Sequence, residues 1–275
     1  MERFDDTWLA LREPVDHRAR ALTLTTRLAR AWRAAGWSRV ADLGSGTGSN
    51  LRFLHDRLNG VDEWVLVEQD PEHVARLRAQ SPGAGRVVVK PQDLAAASVA
   101  GVWSAHLVTA AALLDLVSER WLTMLVDASV DAGAAAFFVL NYDGRGRWQS
   151  ADGAAASEMV TLDELVLEAV NRHQGSDKGF GPALGPRAGA TAERLFREAG
   201  YDTWLEPSPW RLEAVDVELA RRLVGGWHEV AAAAEPTHAA ELARWADDRV
   251  AALAAGRLTV EVGHLDLLAL PPESR

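Results

Sequence analysis

Val40-Ala-Asp-Leu-Gly-Ser-Gly-Thr-Gly48 decides how this chain is read. Ser38–Leu43 has the look of a short strand, three glycines at alternate positions interrupt it, and Ser49–Leu58 continues with helical spacing. A strand that turns through Gly-x-Gly-x-Gly into a helix presents backbone N–H groups with no side chains in the way, so a ligand can lie directly against the turn. The glycines fall at 44, 46 and 48. The dinucleotide fingerprint needs its third glycine at 49, and that position is Ser49, which speaks against a nicotinamide oxidoreductase.

Outward from the turn, the pattern repeats. Glu63–Glu68 reads as a second strand, and Asp70-Pro71 starts a helix with Asp at the cap and Pro in the first turn. That helix runs to about Gln80 and stops at Ser81-Pro82-Gly83. Arg86–Lys90 is a third strand, Val102–Ala110 contains a fourth, Ser118–Ala132 is helical and Ala135–Leu140 is a fifth strand. Strands alternating with helices at this spacing imply βαβ units in a parallel sheet with right-handed crossovers. Val65-Leu-Val67 and Phe137-Phe-Val-Leu140 lack in/out alternation, as expected of strands covered on both faces.

Residues 17–35 read as one helix ended by Gly36. Beyond the fifth strand, Tyr142–Ala156 reads as a loop, Leu162–Asn171 and Thr191–Gly200 as helices, and Gly175–Gly189 as a long glycine- and proline-rich segment. Thr203–Leu212 follows as a sixth strand, Val215–Ala234 and Ala239–Ala255 as helices, and Leu258–Leu270 as the last strand. The expected fold is α/β: a doubly wound, mainly parallel seven-stranded sheet with helical cap elements. One domain spans 1–275, with its binding core at 36–145 and cap elements at 1–35, 146–190 and 213–257.

With 48% hydrophobic and 25% charged residues, the 275-residue chain can bury an ordinary core. No apolar run reaches the roughly eighteen residues of a membrane span, and the polar N-terminus has no signal-peptide character, so the expectation is a cytoplasmic protein. The absence of cysteine removes disulfides, thiolate metal sites and cysteine nucleophiles. A formal charge of −10 argues against a nucleic-acid partner. Residues 1–40 run the other way, with eight Arg against five acids, and Arg20 in that stretch is a candidate for attracting an anionic small substrate.

Two acids accompany the glycine turn. Asp42 lies two residues before Gly44, within reach of a ligand's cationic amino group, and Glu68 ends the next strand, where a carboxylate can accept ribose hydroxyls. In these features the sequence resembles the class I S-adenosylmethionine (SAM)-dependent methyltransferases, over about residues 36–145 and thereafter in topology only. The resemblance implies SAM as cofactor and S-adenosylhomocysteine as product. It places Asp42, Gly44, Gly46 and Gly48 at the methionine part, Glu68 at the ribose, Gln69 beside the adenine and Asp93 facing its exocyclic amine. Ser45, Asn50, Leu94 and Thr109 complete the implied cofactor set. The fourth strand departs from the family pattern. It begins Ser104-Ala-His106 without an acid, and Val108-Thr109-Ala-Ala replaces the Asn-Pro-Pro-Tyr type of loop used on planar amino groups. The substrate expected is therefore a small, anionic or aromatic metabolite methylated at O, N or S. A SAM-binding sensor or partner protein without transferase activity is the alternative.

Methyl transfer asks a protein mainly to align the nucleophile, exclude water and take up a proton. Asn141 and Tyr142 follow the fifth strand at its carboxyl end and are candidates to orient a substrate, with His173 as a candidate general base. The stretch His173–Phe180 packs Gln174, Asp177, Lys178 and Phe180 among glycines and reads as a lid over substrate. Trp210 and Arg211 would add a pocket wall and an anion clamp. His106, His228 and His264 read as structural. No His/Asp/Glu group has metal-ligand spacing, so no metal is expected.

Overall fold

The computed structural model describes residues 5–79, 85–96, 104–150 and 157–272, the side chains of 157–160 excepted. The helix end expected near Gln80, the start of the fourth strand at Val102 and the last residues of the expected loop at 151–156 lie outside them.

Five parallel strands form the centre: β1 (Arg39–Leu43), β2 (Glu63–Glu68), β3 (Arg86–Pro91), β4 (Leu107–Ala111) and the first part of β5 (Ala135–Ser150). β6 (Asp202–Pro207), β7 (Trp210–Leu212) and β8 (Leu258–Leu270) complete one sheet of order β3-β2-β1-β4-β5-β8-β6, in which β8 runs antiparallel to β5, β6 and β7. The chain thus has the doubly wound α/β fold, with eight strands among the described residues where seven are expected. The additional strand arises because Ser208-Pro209 splits the sixth: Ser208 turns its Oγ into the core, donating to Asp266 at 2.6 Å, so β6 and β7 pair β8 separately.

Both sheet faces are covered. The central strands carry fully buried Val40, Leu66, Leu107 and Phe137 on one face, and Ala41, Val67, Val108 and Phe138 on the other. The first group packs with α2 (Leu22–Ala35) and α3 (Ser49–His55); the second with α5 (Glu119–Asp131) and α7 (Ala188–Glu198). Each buried Leu or Phe stabilises the fold by roughly 1.5–3 kcal/mol relative to exposure.

Two expectations are corrected. Tyr142–Ser150 is strand rather than loop. Its exposure alternates, with Arg145, Arg147 and Gln149 outward and Gly146, Trp148 and Ser150 inward, and it pairs β8 down to Ser150 opposite Leu258. A register shift between Tyr142 and Gly146 lets the Asp143 side chain fold over Gly263, where an added Cβ would come within 2.0 Å of Oδ1. The long β5–β8 ribbon carries α6 (Ser157–Gln174), α8 (Val217–Ala234) and α9 (Ala239–Ala254). Asp163 ties α6 to α9 by accepting Trp245 Nε1 at 2.7 Å and Arg249 Nε at 2.9 Å.

The second correction concerns the N-terminal segment. In place of one helix over 17–35, two helices meet at an extended Arg20-Ala21 corner: α1 (Asp6–Ala19) and α2. Asp5 caps α1 by accepting the Trp8 N–H at 2.8 Å. The corner holds because Ala21 N–H donates to the buried Asp266 carboxylate at 2.9 Å. α1 packs on β7 and α8, and the Arg18–Asp216 ion pair fastens its end. No helix among the described residues is long and apolar enough to cross a membrane.

Candidate active site

β1 and β4 are adjacent but lead to opposite sides of the sheet order, and a crevice opens beyond their carboxyl ends. A cleft of about 550 Å³ occupies it, within the range that holds a cofactor-sized ligand. Gly44 and Gly46 form its floor, Glu68–Gln69 and Gln92 with Leu94 one end, Ala111–Leu113 and Leu116 the other, and Leu9 and Arg12 of α1 its roof. Gly44, Gly46 and Gly48 have φ of 63°, 53° and 86°, a region other residues seldom adopt. A Cβ on Gly44 would come 3.7 Å from Leu113, and one on Gly46 would come 3.6 Å from Leu9.

Glu68 organises the turn. One carboxylate oxygen accepts the Gly46 N–H at 2.7 Å, the other the N–H groups of Gln69 and Asp70 at 2.9 Å each. Beneath the turn lies a buried polar chain. Asn50 donates to Asp42 Oδ1 at 2.7 Å and to Thr109 at 3.1 Å, and accepts from Arg20 at 2.6 Å; Thr109 donates to the Phe137 carbonyl at 2.6 Å. Ser45 Oγ donates to the Asp42 carbonyl at 2.9 Å. Burial pushes the Asp42 carboxyl up to about 6 against the pull of Asn50, Ser45 and Arg20, and its Oδ2 has no partner among the described residues.

Of the expected cofactor residues, Gly44, Gly46, Glu68, Gln69 and Leu94 line the cleft. Asp42, Ser45, Asn50 and Thr109 stand behind the turn and hold its shape, and Gly48 begins α3. Asp93 faces solvent instead of the cleft. Its Oδ1 accepts the Ala95 N–H at 2.9 Å, an aspartate turn that draws the side chain outward and leaves Gln92 and Leu94 at the edge.

The expected substrate residues scatter. Arg20 is 4% exposed beneath the turn, its guanidinium over the Phe53 ring, so it is an internal counter-charge for Asp42, Asp16 and Asp266 rather than a surface anion trap. The His173–Phe180 stretch is a folded plug and not an open lid. Asp177 accepts the N–H groups of Gly179 and Gly181, Lys178 is buried with Nζ 2.7 Å from His173 Nε2, and Phe180 packs edge-on against Trp121. Leu184 N–H pins its far end to the Val117 carbonyl at 2.8 Å. His173 lies at the end of α6 beside α8, and neither it nor Gln174, Asp177, Lys178 or Phe180 lines the cleft. Arg211 is exposed and pairs with Glu261. Asn141 is buried, donating to the Leu265 carbonyl at 3.1 Å, and Tyr142 spends its hydroxyl on Asn171 at 2.8 Å. His106 accepts the Ser38 and Arg39 N–H groups at the opposite end of the sheet.

Trp210 is buried and does not line the cleft either. Its indole N–H donates to Asp16 at 2.9 Å, its ring meets Trp8 and His264, and Arg12 lies over its face. Sequence reasoning missed α1, and with it Leu9 and Arg12. It also missed Asp115, a single acid within the apolar run Ala110–Val117.

No protein-family model matches the chain, and no curated protein matches it in sequence. Among solved structures it is similar to a SAM-dependent methyltransferase from Geobacter sulfurreducens in complex with S-adenosyl-L-homocysteine. That pair shares 16% identity over 96% of this chain and 98% of the other, with a TM-score of 0.44. An O-methyltransferase family protein from Burkholderia thailandensis gives 14% identity, 94% and 57% coverage and a TM-score of 0.45. A cyclopropane synthase from Mycobacterium tuberculosis gives 10%, 85% and 78%, and 0.42.

Proposed function

We propose that the chain is a class I methyltransferase that binds SAM in this cleft and methylates a small molecule at O, N or S. The observation that carries the reading is one cleft joining the glycine turn, the Glu68 carboxylate and the Gln92–Leu94 edge. The residues suit the cofactor part by part. Asp42 Oδ2 is a buried acceptor without a partner among the described residues, next to where a methionine ammonium would lie. A carboxylate offers about four lone-pair positions, and Glu68 uses three on backbone N–H groups, which leaves capacity for a ribose hydroxyl. Leu94 and Val67 give an apolar bed for the adenine ring. Bound SAM supplies a methyl carbon already activated by its sulfonium. The chain's own work is to hold and orient both partners and to keep water out, and Leu9 and Arg12 of α1 line the cleft on the side facing the glycine turn. A cleft of this size and a formal charge of −10 support a small-molecule acceptor over a nucleic acid.

Titration calorimetry with SAM, S-adenosylhomocysteine and NAD tests the cofactor. The first two are expected to bind; NAD binding without SAM binding would overturn the proposal. Glu68→Ala is expected to weaken SAM by more than about tenfold, or about 1.4 kcal/mol, because it removes both the ribose acceptor and the brace of the turn. Unchanged affinity would mean that the ligand lies elsewhere.

A further inference from the structure

Arg12 is the one Arg or Lys among the described residues that line the cleft, and one edge of its guanidinium is already taken. Asp16, one helical turn later in α1, accepts Nε at 2.9 Å and Nη2 at 3.4 Å, which fills the side edge of the fork. Asp16 also accepts the Trp210 indole N–H at 2.9 Å, and the guanidinium carbon lies 5.1 Å from the centre of the Trp210 ring. Both Asp16 and Trp210 are buried, so the group is clamped from the protein side. The end edge, Nη1 with the second N–H of Nη2, is different. Nη1 has no hydrogen-bond partner among the described residues, and it is not one of the polar atoms sealed from solvent. The side chain keeps 13% exposure and lines the cleft. A fixed fork thus turns its open edge to a ligand cavity.

Its place in the sheet order sets it apart from the adenosine end. Glu68, Gln69 and Gln92 end or follow β2 and β3, on one side of the glycine turn. Trp210, against which Arg12 rests, belongs to β7, which pairs with β8 beyond β4 and β5 on the other side. The lining contributed by α1 and by the residues after β4 is otherwise apolar: Leu9, Ala112, Leu113 and Leu116. Acids line the β2 side, with Glu68, Asp70 and Glu72. One cation among apolar walls suits a single negative charge on an apolar body. A dianion such as phosphate would meet Asp16 and the three lining acids with twice the charge. A flat carboxylate carries one charge and matches the two parallel N–H groups of the open edge.

Resting on the SAM reading above, we propose that Arg12 anchors the methyl acceptor, and that the acceptor is a carboxylate with an apolar body. The carboxylate accepts from Nη1 and Nη2 of the open edge, and Leu9, Leu113 and Leu116 face the body. Because Asp16 and Trp210 already fix the fork, little side-chain freedom is lost when the carboxylate arrives. Arg12 decides which acceptors enter and how they lie; it takes no proton and no part in making the new bond.

Calorimetry on the chain loaded with S-adenosylhomocysteine tests this, using benzoate against benzamide, which keeps the shape and loses the charge. Wild type is expected to bind benzoate at least about tenfold more tightly, as charge-assisted hydrogen bonds to the fork would give. Arg12→Met should bring the two ligands within about threefold while S-adenosylhomocysteine affinity is kept. Arg12→Lys keeps the charge and loses the fork, so its preference should lie between the two, and it decides the matter alone if the Met variant does not fold. Inorganic phosphate should fail to displace benzoate from wild type. Equal binding of the two ligands to wild type, a preference undiminished in either variant, or displacement by phosphate overturns the proposal. So does a loss of about tenfold in S-adenosylhomocysteine affinity in Arg12→Met with 5′-methylthioadenosine, which lacks the amino-acid part, unaffected. The carboxylate held would then be the cofactor's own. Failure of S-adenosylhomocysteine to bind wild type overturns the cofactor reading instead.

Discussion

Asp266→Ala is expected to lower the unfolding free energy by about 3–5 kcal/mol, a fifth or more of what a domain of this kind possesses. The reason lies in how many separate pieces of chain this one buried carboxylate serves. Asp266 is 0% exposed in β8. Oδ2 accepts the Ala21 N–H that begins α2, and Oδ1 accepts the Leu140 N–H at 2.7 Å and the Ser208 hydroxyl at 2.6 Å. It is also the foremost of the acids that offset the buried charge of Arg20, whose guanidinium burial pushes below its ordinary range. Alanine would leave two backbone donors and a hydroxyl short of an acceptor at once, at about 1–3 kcal/mol each, and would take a counter-charge from Arg20. Asp266→Asn keeps one acceptor oxygen and should fall between. Urea denaturation followed by tryptophan fluorescence measures the loss as a lower midpoint at unchanged slope. In a double-mutant cycle, the cost of Asp266→Ala should shrink when Arg20 is already Met. An alanine variant within 1 kcal/mol of wild type would show that the corner between α1 and α2 is held by something else.

The same carboxylate shows why parts of the fold were legible in the sequence and parts were not. Local rules were enough for the glycine turn. Alternate glycines after an apolar strand, and an acid closing the next strand, are short-range signals, and Gly44, Gly46 and Glu68 lie together in the cleft. The α1–α2 corner depends on an aspartate 245 positions away, which no local pattern announces. α1 itself is masked by Arg12, Glu13, Asp16, His17 and the internal Pro14. The signal that was there is Asp5 as a cap followed by Trp8, Leu11 and Val15 at helical spacing, all packed into the core. The β5 extension hid for a related reason. Gly, Arg and Asp suggest a loop by composition, while the period-two exposure of Arg145–Ser150 is that of a strand on a ribbon with one covered face. Composition likewise made His173–Phe180 look open. Its glycines serve a tight turn wrapped around the Asp177 carboxylate. Asp115 was legible in principle: an acid inside the run Ala-Ala-Ala-Leu-Leu-Asp-Leu-Val has to be buried, and a buried acid is either paired or in use.

Asp115→Asn is expected to make the protein more stable at pH 7, by up to about 3 kcal/mol, the equivalent of a rise of about two pKa units. Burial lifts the folded-state carboxyl to about 6 from the 3.8 of a free aspartate. Between those values the folded chain holds a proton that the unfolded chain has released, so its stability declines as pH rises from about 4 to about 6 and the penalty is complete above that. An amide of the same shape carries no such penalty. The advantage of the Asn variant should therefore be small near pH 4, grow through pH 6 and level off by pH 7. The charged groups facing this carboxyl are Arg12 from α1 and, from β5, the Tyr142 hydroxyl, which titrates far above the window. Neither changes charge in it. Denaturant unfolding of both proteins at intervals from pH 4 to pH 7 gives the difference curve directly, and a flat curve would show that Asp115 titrates as a solvated acid. A rising curve would show that the carboxyl ionises inside the fold, in the field of Arg12 and behind the cleft-lining Leu113 and Leu116.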